Sequence, residues 1–240
     1  MSELVLQKSV PYPALTARAL PSLQVLDPAD WLLYDEVEAE QCALREALLA
    51  SDRDAVLARM AGSEAAEAEA LEMIGAHLRD IHGRALRLFQ LEDLAGTIQE
   101  DVVILQPGPQ GHVMVAALLC FPASWMLSEK IGRAMAQIHD PVEEISPRMD
   151  RQIERIFVGL RPDRPLWRWN QLWYHAPDLF QPRSVHDKRP RPDGDGDYLR
   201  TERQCLLRMP RTGAVMFTIH TFVVARADVT ARAAHFGKLT

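Results

Sequence analysis

FPASWMLSEKIGRAMAQIHDPV, residues 121–142, follows an almost wholly apolar run, VMVAALLC, at 113–120. That run has the length and composition of a buried strand, although periodicity alone does not separate it from a helix. Pro122 stops it. Beyond the proline, Ser124 or Ser128 can start a helix on which Trp125, Leu127, Ile131, Met135 and Ile138 form one apolar stripe, and Pro141 ends it. Upstream, Asp101–Leu105 reads as a second strand, joined to the first through the turn-rich QPGPQGH of 106–112.

Downstream of this stretch a second helix is expected over about Ser146–Leu160, with Ile153, Ile156, Phe157 and Leu160 on one side. Leu166–His175, LWRWNQLWYH, is aromatic and strand-like. Pro177 to Asp197 is rich in Pro, Gly, Asp and Arg and reads as a long loop. Leu199–Arg208 and Ala214–Val224 form a hairpin around the Pro210–Gly213 turn, and Val229–Phe236 is a short terminal helix.

Before the opening stretch, residues 1–30 form an arm punctuated by Pro11, Pro13, Pro21 and Pro28. Helical spacing runs from Trp31 to about Ala50, from Ser51 to about Ala61, and from Glu64 to about His82. Strands that enclose a helical middle define an α+β fold, an antiparallel sheet with helices on one face. An N-terminal arm and helical extension, 1–100, precedes the core of 101–240, and the two read as one continuous unit.

The chain has 240 residues, 48% of them hydrophobic and 25% charged, which is enough to bury a sizeable core. A formal net charge of -6 argues against non-specific nucleic-acid binding. No window is long and apolar enough for a membrane span, and MSELVLQKSVPYP lacks the basic and apolar regions of a secretory signal, so a cytoplasmic protein is expected. Cys42, Cys120 and Cys205 are widely separated and form no CxxC pair, which indicates neither a disulfide framework, nor a zinc site, nor an iron–sulfur cluster. GxGxxG and GxxxxGK[ST] are absent.

His139, at the end of the expected helix, is the first candidate for chemistry. Neutral imidazole is the commonest metal ligand and a proximal ligand of haem, but a histidine at a helix C-terminus can also simply cap carbonyls. His77 and His82 are five apart, not four, and no HExxH occurs. On the aromatic strand Trp167, Trp169, Gln171 and Trp173 share one side, and Arg168, Asn170, Leu172 and Tyr174 share the other. The second side offers hydrogen-bond donors beside an apolar residue, suited to a small polar ligand or dioxygen in an apolar pocket. The bland alternative is a core strand. In the hairpin Glu202, Gln204 and Leu206 share a face, with Arg203 and Cys205 opposite, and His220 alternates with Ile219 and Thr221.

EDVVIL, CFPASWMLSEKIG, IHDPV, RWNQ, DLFQP and LRTERQCLLRMPRTGAVMFTIHTF together resemble the haem-dependent oxidative N-demethylase family, the alpha-subunit-like proteins. The resemblance extends back through DPADWLLYDE. It implies a PAS-like core carrying haem b, with dioxygen as co-substrate and electrons from a separate flavin and iron–sulfur reductase subunit. The implied activity is oxidation of the methyl group of a small, dimethylamine-like secondary amine. The non-enzymatic alternative is a haem or small-ligand sensor with the same fold. The resemblance makes His139 the axial iron ligand and Arg168 and Asn170 pocket residues, with Arg203 and His220 as further candidates. The chain departs from the family pattern at Glu143-Glu144 after IHDPV, at Gln171, and at His220 and Phe222, where arginine and tyrosine are usual.

Overall fold

Residues 5–15, 22–139, 147–187 and 195–231 are described by a computed structural model. Their strands are β1 (Gln24–Val25), β2 (Leu57–Arg59), β3 (Asp101–Gly108), β4 (Gly111–Leu118), β5 (Leu166–Trp169), β6 (Leu172–Tyr174), β7 (Tyr198–Arg208) and β8 (Val215–Ala225). They form one antiparallel sheet in the order β1-β5-β7-β8-β3-β4-β2, with β6 also pairing with β7. The helices are α1 (Glu38–Ser51), α2 (Arg53–Val56), α3 (Glu64–His82), α4 (Met135–His139), α5 (Pro147–Gly159) and α6 (Arg226–Ala231).

The two long hairpins expected from the sequence are the centre of this sheet. β7 and β8 pair along their whole length, from Tyr198↔Ala225 to Arg208↔Val215. β3 pairs with β8 on one side and β4 on the other. Because side chains alternate across a strand, the sheet has two distinct faces. On the first, Ile104, Cys205, Leu207 and Met216 pack with Leu48 of α1 and Leu71, Ile74 and Leu78 of α3. On the second, Val103, Leu105, Leu206 and Ile219 pack with Phe157 and Leu160 at the C-terminal end of the α5 segment. The N-terminal helices therefore cover one face, and α4 and α5 lie over the other.

The expected helix from Ser124 or Ser128 is not continuous. Leu127–Glu129 is one 3-10 turn, Gly132 adopts φ 76°, and only Met135–His139 is α-helical. A glycine in the left-handed region interrupts helical dihedrals at little cost. What wins instead is pairing with β4, where Gly132 N donates to Met114 O and Met114 N donates to Arg133 O. The apolar stripe still faces the core, with Trp125, Ile131, Met135 and Ile138 against the second face. Pro141, the expected stop, and Glu143-Glu144 lie outside the described residues.

The remaining differences are local. Trp31 to Val37 is irregular, and the helix begins at Glu38. The expected Ser51–Ala61 helix gives way after Val56 to β2, which pairs with the otherwise open edge of β4. The aromatic strand is divided into β5 and β6 around Asn170-Gln171. The C-terminal helix starts at Arg226, and residues 232–236 of its expected span lie outside the described residues. No helix among the described residues is long and apolar enough to cross a membrane.

Candidate functional site

The second face of the sheet is the one that α4 approaches. Cross-strand register carries the row Leu166, Leu206, Phe217, Val103, Ala117 from β5 to β4. The next row is Arg168, Gln204, Ile219, Asp101, and the one after it pairs Glu202 with Thr221. Toward β4 this face is covered by α4 and α5 together. Toward β5 and β8 it is less filled, since Leu166, Arg168, Asn170, Gln204 and Phe217 are all half-buried. Trp125, Ile131, Met135 and Ile138 are half-buried too. Apolar surface left partly uncovered on one side of a well-packed sheet is a place where a flat apolar group gains by binding.

α4 has one turn, too short to hold itself. Its ends are held by tertiary contacts. Val113 bridges Ala134 at the start, and at the end the Lys130 ammonium donates to Ile138 O at 2.6 Å. That carbonyl belongs to the peptide joined to His139, so Lys130 fixes the chain where the candidate ligand begins. Lys130 is only 5% exposed. Its neighbour Glu129 accepts from Ser184 Oγ at 2.6 Å and Val185 N at 3.0 Å, which pins the segment after β6 to the same turn. The Ser184 hydroxyl holds the Glu129 carboxyl below its ordinary range. Lys130→Met is expected to cost about 1–3 kcal/mol, the scale of a lost charged hydrogen bond. It should also speed amide exchange across 135–139. Unchanged exchange there would show that α4 does not depend on this bond.

Arg168 and Glu202 are the charged groups on the less-filled part of the face. Arg168 Nε is buried with no hydrogen-bond partner. Burial pushes the guanidinium below its usual range, and the Glu202 charge opposes that. Asn170 and Glu202 form a reciprocal clamp. The amide donates to Glu202 Oε2 at 2.8 Å, and its Oδ1 accepts from Glu202 N at 2.8 Å. Gln204 Nε2 donates to the same Oε2 at 3.2 Å. Arg200 approaches Oε1 at 3.6 Å, while its guanidinium donates to Leu179 O at 2.9 Å and Phe121 O at 2.6 Å.

Arg203 and His220 lie on the other face. Arg203 donates to Trp31 O at 2.9 Å and Asp30 O at 2.5 Å, and its guanidinium sits 5.0 Å from the Trp167 ring centre. His220 is fully buried between Glu100 Oε1, 3.0 Å from Nδ1, and Asp35 Oδ2, 3.2 Å from Nε2. The structure thus brings together Arg168 and Asn170 on the face that α4 approaches. It places Arg203 and His220 in the packing between the sheet and the N-terminal region. Phe222, where the family pattern has tyrosine, is buried against Tyr12.

Three groups on the α4 face do not stand out in the sequence. Glu202 and Gln204 are same-face neighbours on β7, but only register puts them beside Arg168. His112 is the second residue of β4, opposite Pro107 of β3. Its ring is 2% exposed, with Nδ1 2.7 Å from Glu154 Oε1 of α5, Phe157 at 5.3 Å, and Nε2 without a partner. Gly111 beside it has φ 106°, a backbone conformation that favours glycine over any residue with a Cβ.

Among the described residues no three His, Cys, Asp or Glu side chains converge as metal ligands. Burial pushes the Cys120 and Cys205 thiols up to about 12, so both stay protonated in the core. Fold and face together define an α+β protein with a single antiparallel sheet. One sheet face is packed by N-terminal helices, and the other carries a short helix clamped over β4 and, toward β5 and β8, a half-buried apolar and arginine-bearing surface. The family model for haem-dependent oxidative N-demethylase, alpha subunit-like, matches residues 79–238, and the chain belongs to that family.

Proposed function

We propose that the chain binds haem b on the α4 face of the sheet, in a PAS-like core, with His139 as axial ligand. It would act with dioxygen in the oxidative demethylation of a small secondary amine. The family assignment over 79–238 carries this reading. The half-buried surface fits the group. Phe217, Leu166, Met135 and Ile138 offer apolar contacts, and the partnerless Arg168 Nε is a polar atom left for a ligand to meet. A single histidine from a one-turn helix suffices for haem, which needs only an axial donor from the protein.

When bound, haem supplies the redox chemistry with dioxygen. The chain's own residues hold and shield. Lys130 and the β4 pairing set the position of α4. The apolar residues of the second face exclude water. Asn170 and Gln204 orient the Glu202 carboxylate, and Arg168 supplies a fixed positive charge beside it. Electrons come from a separate flavin and iron–sulfur reductase subunit, in keeping with an alpha-subunit-like family. A cytoplasmic setting supplies that partner.

The test is the absorption spectrum of the purified chain after haem addition. A Soret band is expected, and His139→Ala should shift or abolish it. Absence of the band removes the reading, and an unchanged spectrum in the variant moves the axial ligand elsewhere. Amine-dependent oxygen consumption with a reductant distinguishes the enzyme from a haem sensor.

A further inference from the structure

Arg168 is the least compensated charge on the α4 face. Its Nε is buried and makes no hydrogen bond, and Glu202 is the only carboxylate whose charge acts on it among the described residues. Glu202 is itself shared with Arg200 at 3.6 Å, so two cations stand against one carboxylate. Both terminal nitrogens of Arg200 are held by the carbonyls of Leu179 and Phe121, with its Nε 3.6 Å from Glu202 Oε1, whereas the Arg168 guanidinium makes no hydrogen bond among the described residues. A half-buried guanidinium with a buried, unpartnered Nε favours an anion from outside the chain, because partial desolvation weakens the alternative of bonding to water.

Glu202 offers the complementary group. Its Oε2 is occupied by Asn170 and Gln204, but Oε1 accepts no hydrogen bond among the described residues, and the side chain remains 9% exposed. Arg168 and Glu202 lie in adjacent rows on one face of neighbouring strands, since Arg168 is opposite Gln204. Diagonal neighbours of this kind are about 7–8 Å apart. This spacing suits the two ends of one small zwitterion. A simple dialkylammonium ion would find its carboxylate but also face the unneutralised Arg168.

We propose that Arg168 and Glu202 together recognise a secondary amine that also carries a carboxylate, an N-methylated amino acid, with the carboxylate on Arg168 and the ammonium on Glu202. The proposal deepens the demethylase reading and rests on it for the fate of the ligand. The binding site itself is defined without the cofactor. The other source of a carboxylate for Arg168 is a side chain of the cofactor, so the test separates the two.

The full chain, haem-free and haem-loaded, is titrated calorimetrically with N-methylglycine and with dimethylamine. N-methylglycine should bind at least roughly tenfold more tightly, the scale of one charge-assisted pair. Arg168→Gln should erase that preference, Arg168→Lys should keep part of it, and Glu202→Gln should weaken both amines. Melting curves of the variants report whether each is folded. Equal binding of the two amines by the wild-type chain overturns the proposal. So does an Arg168→Gln chain that still prefers N-methylglycine. If Arg168→Gln instead lowers only the haem affinity read from the Soret band, Arg168 belongs to the cofactor and the zwitterion assignment falls. A wild-type chain that takes up no haem removes the demethylase reading, while the haem-free titration still decides this one.

Discussion

Asp101→Ala should lower the stability of the protein by about 3–5 kcal/mol, the range for breaking a buried ion pair from one side. Asp101 and Arg45 are both fully buried, joined at 2.5 Å between Oδ1 and Nη1. The carboxylate does more than neutralise the arginine. Oδ1 accepts from Cys120 N at 2.7 Å and Oδ2 from Phe121 N at 2.9 Å. Those are the residues at which the chain leaves β4 for the segment that leads to α4. Removing the carboxylate strands a guanidinium and two backbone donors in the core, each of which then bears its desolvation cost. Arg45 would retain only Glu100 O, at 2.8 Å. Asp101→Asn keeps the shape and an acceptor, so it should cost less than Ala. Denaturant unfolding measures the difference as a fall in midpoint at constant slope. A loss below about 1 kcal/mol for Asp101→Ala would place the pair among those worth no more than a surface bridge.

The sequence makes this hub half-visible. Asp101 heads a strand expected at its place, because VVIL is apolar and β-branched and the turn after it is rich in Pro and Gly. The same holds for β4, β7 and β8, whose patterns agree with their position in the centre of the sheet. Legibility fails where tertiary pairing outweighs local pattern. The run at 53–59 has helical spacing, yet Leu57–Arg59 becomes a strand because the edge of β4 offers hydrogen bonds along Ala116–Leu118. Likewise the stripe from Trp125 to Ile138 keeps its inward side but loses its helix, because Gly132 and Arg133 bond to β4.

The site divides along the same line. Period-two alternation puts Arg168 and Asn170 on one face, and the structure agrees. Which of the two sheet faces that is depends on the register of β5 against β7, set by Trp167↔Cys205 and Arg168↔Gln204. No local pattern encodes that register. It decides that Glu202, rather than Arg203, is the neighbour of Arg168 on the α4 face. In sequence Asn170 has the look of a free donor for a ligand. Its amide is instead what closes β5 and turns the chain toward β6, through the bonds to Glu202.

His220 shows how one substitution from the family pattern changes the behaviour of a core cluster. Where arginine is usual, this chain places an imidazole between Glu100 and Asp35. Burial opposes a charge on it, but the Glu100 charge and the bonds from Asp35 and Glu100 outweigh burial and raise its pKa to about 9. Burial likewise opposes the Asp35 charge, and the His220, Gln99 and Gln7 bonds lower its pKa to about 2. With both ring nitrogens donating, the cluster ties Asp35, in the segment before α1, to β8.

The sign of the pH dependence follows from whether each pKa is raised or lowered by folding. A raised histidine pKa gives stability that is complete below the unfolded value, 6.5, and is lost as pH rises toward 9. The lowered Asp35 gives stability that is complete above 3.8 and is lost as pH falls toward 2. Between pH 6.5 and 9 the wild-type chain should therefore lose roughly 3 kcal/mol, since a tenfold change in proton affinity is worth about 1.4 kcal/mol. His220→Gln should be less stable at pH 6, because it leaves two carboxylates facing each other, and it should lack the alkaline loss. His220→Arg, if accommodated, should keep the pairing at high pH, since a guanidinium does not titrate there. Denaturant unfolding at pH 6, 7.5 and 9 reads all three. A wild-type stability that is flat over this range would show that the imidazole is neutral in the folded chain and that Asp35 holds it by a single ordinary hydrogen bond.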